Sequence, residues 1–118
     1  MRTLLAVSVV LTLSGVGIGC GGDDEADLPD VDCSGTIPKY AEVTAIAKCK
    51  ACHDSAKTGA SRNGADTDVN FDTEAAAMKS SMKGAEEVYG GDMPPAGSGV
   101  TLTQAEKDQL YKWALCTN

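Results

Sequence analysis

Two cysteines three residues apart, Cys49 and Cys52, stand directly before the only histidine of the chain, His53, in the stretch KCKACHDS. Thiols so spaced serve three chemistries: a redox dithiol, half of a zinc site, or the covalent attachment of haem. A thioredoxin-like dithiol opens a helix within a βαβ unit, but here the pair follows a helical pattern and no segment alternates as a strand does. Zinc takes four ligands, usually from two pairs, and beyond this pair only the dispersed Cys33 and Cys116 remain in the body of the chain. Haem attachment needs what is present. Two thiols on one helical turn can each add to a porphyrin vinyl group, and the next residue's imidazole then lies under the iron.

Such attachment takes place outside the bacterial cytoplasm, so the start of the chain matters. Met1 and Arg2 give a short positive start, and residues 3–18 are apolar or small without a charge. At 1.5 Å per residue that run spans about 24 Å, short of a bilayer's hydrocarbon core. A secretory signal over residues 1–19 is expected. The sequence Gly17-Ile18-Gly19-Cys20 resembles a bacterial lipobox, with Gly17 where Leu is usual, and Cys20 is the expected lipidated first residue of the mature protein. The competing reading is ordinary secretion with a free Cys20.

Residues 21–32, GGDDEADLPDVD, hold six acidic side chains and almost nothing to bury, so residues 20–32 read as an acidic flexible tether. The formal charge of −7 belongs mostly to this leash, because residues 33–118 carry 11 acidic and 9 basic side chains. A near-neutral domain gives no sign of nucleic-acid binding. With one Phe, one Trp and three Tyr in the whole chain, the core of the domain at 33–118 is thin. Domains of this size lean on a disulfide, a metal or a large cofactor.

The domain reads as all-α. Pro38 can open a first helix whose buried face is Tyr40, Val43, Ile46 and Ala47, and which runs into the cysteine motif. Residues 55–70 are polar and glycine-bearing, a loop. Asp72 or Thr73 can cap a second helix that ends at residue 83, with Ala75, Met78 and Met82 as its apolar stripe. The run GGDMPP at residues 90–95 breaks regular structure. Thr103 and Glu106 form a capping box for a last helix carrying Leu110, Trp113 and Ala114 at i, i+3 and i+4. Loops this long are acceptable in a small domain if they wrap something.

An iron with one histidine needs a further ligand. Met1 leaves with the signal, and Met78 and Met82 on a helix face are better explained by core packing. Met93 stands in a Gly/Pro loop where no periodicity accounts for an apolar side chain, and Pro94-Pro95 stiffens the backbone behind it. The competing reading of Met93 is a surface methionine in a turn.

Taken together, CKACH after an amphipathic helix, then MPP, then LTQAEKDQLYKWALC, resembles a small monohaem class I cytochrome c of the exported bacterial lipoprotein type. The resemblance covers roughly residues 37–117, with the three motifs in family order; RNGA and VNFDT (62–65 and 69–73) are similar but less specific. It implies a cytochrome c-like fold, three main helices and long loops around one covalent haem c. Cys49 and Cys52 would be the thioether attachments, His53 the proximal ligand and Met93 the distal one. It also implies that the first and last helices cross and pack, and a Cys33–Cys116 disulfide is expected, which an exported chain permits. The family often has Gly-Pro after the haem motif, whose carbonyl accepts the histidine Nδ1–H. Residues 63–66, NGAD, lack that proline and leave the acceptor unassigned.

An iron closed by His53 and Met93 has no position for substrate. The expectation is therefore a monomeric one-electron carrier, not an enzyme, lipid-anchored to a bacterial membrane outside the cytoplasm and serving redox protein partners. The alternative is a haem enzyme or gas-sensing module with a labile sixth ligand. Lys39, Lys48, Lys50 and Lys57 cluster near the motif and could steer an acidic partner, although such a run is more often a solvated face.

Overall fold

The protein is described from a computed structural model covering residues 27–118. The expected signal over 1–19, Cys20 and most of the tether lie outside the described residues. Four α-helices form, with no strand among the described residues: α1 (Thr44–Cys49), α2 (Glu74–Lys79), α3 (Ser81–Gly90) and α4 (Gln104–Thr117). The domain is all-α.

The capping box opens α4 as its sequence dictates. Thr103 Oγ1 accepts the Glu106 N–H at 3.3 Å, and Glu106 Oε2 accepts the Thr103 N–H at 2.8 Å. From there α4 buries Leu110, Tyr111, Trp113 and Ala114, and it packs against both α1 and α3. Trp113 is fully enclosed at 0% exposure and stacks obliquely on Tyr40, ring centroids 6.1 Å apart.

Two expected helices are broken. The first starts as a 3₁₀ turn at Tyr40–Glu42, and Val43 is then extended (φ −78°, ψ 97°) before α1 begins. That break resets the helical phase, so Ala45 and Ile46 are buried while Ala47, expected inside, is exposed. The amide of Thr44 finds an acceptor on α4 instead of a local cap, Gln109 Oε1 at 3.1 Å. The second helix breaks at Ser80 (φ −124°, ψ 12°), where the Ser81 hydroxyl donates to the Met78 carbonyl at 3.1 Å. It then continues as α3 to Gly90, seven residues beyond the expected end at residue 83. The buried stripe is Ala77, Ser81, Ala85 and Val88; Met78 and Met82 are half-buried against the core, and Ala75 is exposed.

Thr73 caps α2 by accepting the Ala76 N–H at 3.2 Å. Gly91, in the left-handed region at φ 90°, ends α3, as glycine does most easily. A disulfide joins Cys33 to Cys116, Cα atoms 5.5 Å apart, and ties the segment before α1 to the end of α4. Residues 27–32 have no regular structure, but Leu28 and Val31 are half-buried against the core, so the end of the tether lies on the domain. Among the described residues, no helix is long and apolar enough to cross a membrane.

Candidate functional site

The last turn of α1 does not stop at Cys49. The Cys49 carbonyl accepts the N–H of Cys52 at 3.2 Å and of His53 at 2.9 Å, so both cysteines and the histidine share one continued turn. Met93 is set by the end of α3, where the Glu87 carbonyl accepts its N–H at 3.1 Å and that of Asp92 at 3.0 Å. These two anchorages bring Cys49, Cys52, His53 and Met93 into the lining of one cleft, together with Pro94 and Pro95. Val69, Phe71, Val88 and Leu110 supply much of the rest, and Lys48 and Lys83 also border it. The empty space, counted out to the open mouth, is about 1000 Å³. Met78 and Met82 are not part of this lining, and neither are Cys33 and Cys116.

Both motif cysteines are free thiols. Burial pushes the Cys49 thiol up to about 11, so it stays protonated at neutral pH. Among the described residues, no group of three His, Cys, Asp or Glu side chains is arranged to hold a metal ion directly. Two thiols, an imidazole and a thioether lining one largely apolar cleft are groups that could hold a cofactor there.

His53 is anchored through both its ring and its backbone. Its Nδ1 lies 3.1 Å from the Val69 carbonyl, which places the ring proton on Nδ1 and leaves Nε2 as the free nitrogen. Its own carbonyl accepts the Phe71 N–H at 2.8 Å, and the Phe71 ring meets the imidazole edge-on, centroids 5.8 Å apart at 73°. Phe71 is fixed from the other side, because Tyr40 Oη donates to its carbonyl at 2.6 Å. The acceptor left unassigned by the missing proline is therefore Val69.

The loop carrying Val69 is organised by a residue that the sequence does not single out. Arg62, at the end of a short 3₁₀ turn (Gly59–Arg62) inside the expected loop, is only 3% exposed. Its guanidinium donates to the carbonyls of Asp54, Ala65, Asp66 and Val69 and to the Asn70 side chain. A full set of five acceptors meets its five donors. Arginine is almost never so buried without a partner, and nothing in the polar run around it signals burial. Of the lysines near the motif, Lys48 is engaged, donating to Glu106 Oε2 at 2.8 Å and to the Thr101 carbonyl at 2.9 Å.

The chain matches no protein-family profile, no curated protein and no solved structure.

Proposed function

We propose that the chain is a one-electron carrier of the cytochrome c type, with a cytochrome c-like fold closed around one covalently attached haem c. The observation that carries this reading is the shared cleft. Two free thiols, an imidazole with Nε2 left unengaged and a loop methionine line one largely apolar space. When bound, the haem supplies a reversible one-electron couple.

The chain's own residues do the rest. Cys49 and Cys52 would hold the group by thioethers on the continued turn of α1. His53, oriented through Nδ1 by Val69, and Met93, through its thioether, would hold the iron of that group. Phe71, Val88 and Leu110 line the cleft with apolar surface, which would favour the less charged, reduced state of a bound haem. With His53 and Met93 both engaged, a bound haem would be left no place for substrate, so the chain would pass electrons between redox protein partners as a monomer and would not act as an enzyme. Its expected place is outside the cytoplasm of a bacterium, lipid-anchored through Cys20.

Spectra and mass of the mature, exported protein test this. One covalent haem, a ferric methionine–iron charge-transfer band and a ferrous spectrum indifferent to CO are expected. Met93→Ala should abolish the band, whereas Met78→Ala and Met82→Ala should keep it. Rapid CO binding at neutral pH would instead make the protein a haem enzyme or gas sensor, and a chain isolated without haem would end both readings. The same mass measurement reports whether Cys20 carries lipid.

A further inference from the structure

A buried guanidinium with no carboxylate beside it is costly, and the structure shows what this one is arranged around. Among the described residues the only ion pair is Lys48–Glu106, so the charge of Arg62 is met by carbonyl and amide oxygens alone. Two of those oxygens belong to the neighbourhood of His53. Asp54, whose carbonyl accepts from Nη1 at 2.8 Å, is the next residue in the chain. Val69, whose carbonyl accepts from Nη2 at 3.0 Å, is the acceptor for His53 Nδ1 at 3.1 Å. The remaining hydrogen bonds go to the Ala65 and Asp66 carbonyls and to the Asn70 side-chain oxygen. Arg62 thus closes the loop 54–70 on itself, and both ends of that loop abut the imidazole.

We infer that Arg62 is the positioning residue for His53. By holding the Val69 carbonyl in place it keeps the ring proton on Nδ1 and fixes the plane in which Nε2 is presented. The arrangement does by side-chain hydrogen bonds what a rigid backbone would otherwise do. The role of Nε2 as a haem ligand rests on the function proposed above; the role of Arg62 toward the ring does not.

The chain has a single histidine, so selective ¹⁵N-histidine labelling reports one ring. In the ferrous protein, which is diamagnetic with His/Met ligation, the expected wild-type signal is a protonated Nδ1 with a slowly exchanging proton. Arg62→Met should speed that exchange more than tenfold beyond Thr103→Ala, a control that weakens α4 away from the loop. Arg62→Lys, which keeps the charge but has three donors for five acceptors, should exceed the control at least threefold. Should Arg62→Met fail to fold, Arg62→Lys decides alone. A smaller effect than threefold in Arg62→Lys, or a wild-type ring protonated on Nε2 instead, would overturn the inference. Absence of haem would sink the electron-carrier reading only, and the same ring proton is then followed in the haem-free chain, where the same order of variants is expected.

Discussion

At the scale of single residues, the cleft is built from side chains whose freedom has been removed by their neighbours. Phe71 illustrates this, since its N–H is bound by His53, its carbonyl by Tyr40 and its ring is 3% exposed. A β-carbon placed on Gly84 of α3 would lie 3.0 Å from the Phe71 Cζ, closer than ordinary packing allows. Alanine should gain about 1 kcal/mol over glycine within a helix. Overpacking costs about 1–3 kcal/mol where the neighbour cannot yield. Gly84→Ala is therefore expected to destabilise by about 1 kcal/mol net, in urea unfolding, rather than to stabilise as a helix scale alone predicts. Cys49, Cys52, His53 and Met93 stood out in the sequence by side-chain type and setting, and the fold brings all four to one cleft. Val69 did not stand out, because its contribution is a carbonyl that any residue would carry. Arg62 did not, because its burial depends on five acceptors that only the folded loop assembles.

At the scale of elements, helix starts were legible where a side chain makes them and breaks were not. Thr73 and Thr103 cap as their identities predict. The interruption at Val43 goes with a tertiary partner, Gln109 on α4, and that at Ser80 with the Ser81 hydroxyl turning back to the Met78 carbonyl, a local bond that the apolar pattern does not encode. The start of α4 also joins it to α1, because Glu106 accepts from Thr103 and from Lys48 together. Thr103→Ala should cost about 1 kcal/mol, the usual value of such a cap, by thermal or urea unfolding. Glu106 gives a pH dependence of definite sign. The Lys48 hydrogen bond first, then the Thr103 N–H, holds its carboxyl below the ordinary value of 4.5. Its contribution is thus fully present above about pH 4.5 and is lost as pH falls through the lowered folded value. Glu106→Gln should lower the midpoint at neutral pH slightly, because the pair is at the surface. It should also flatten the part of the acid limb that lies below pH 4.5.

At the scale of the whole molecule, the core is too small to explain the fold by itself. Among the described residues eleven apolar ones are buried, and four of these are alanines, Ala45, Ala77, Ala85 and Ala114, while Trp113 and Leu110 are the largest apolar side chains fully enclosed. α4 carries the architecture by contacting α1 on one side and α3 on the other, yet the loops at 54–73 and 91–103 give the core a single buried apolar residue, Phe71, and otherwise largely surround the cleft. A chain so arranged loses much entropy on folding for little apolar burial, and a covalent staple offsets part of that loss in the unfolded state. Cys33 and Cys116 are 83 residues apart in sequence, so their bond closes nearly the whole domain into one loop. By the loop-entropy relation that closure is worth about 4–5 kcal/mol, a large share of the stability of a domain this size. The double variant Cys33→Ser/Cys116→Ser should therefore show a urea midpoint far below wild type with the visible spectrum of the folded protein unchanged, since neither cysteine lines the cleft. Reductant should move the wild-type midpoint toward that of the variant and leave the variant where it is. If reductant shifts both equally, it acts elsewhere in the chain; if it shifts neither and the variant matches wild type, the staple contributes nothing and the thin core must suffice.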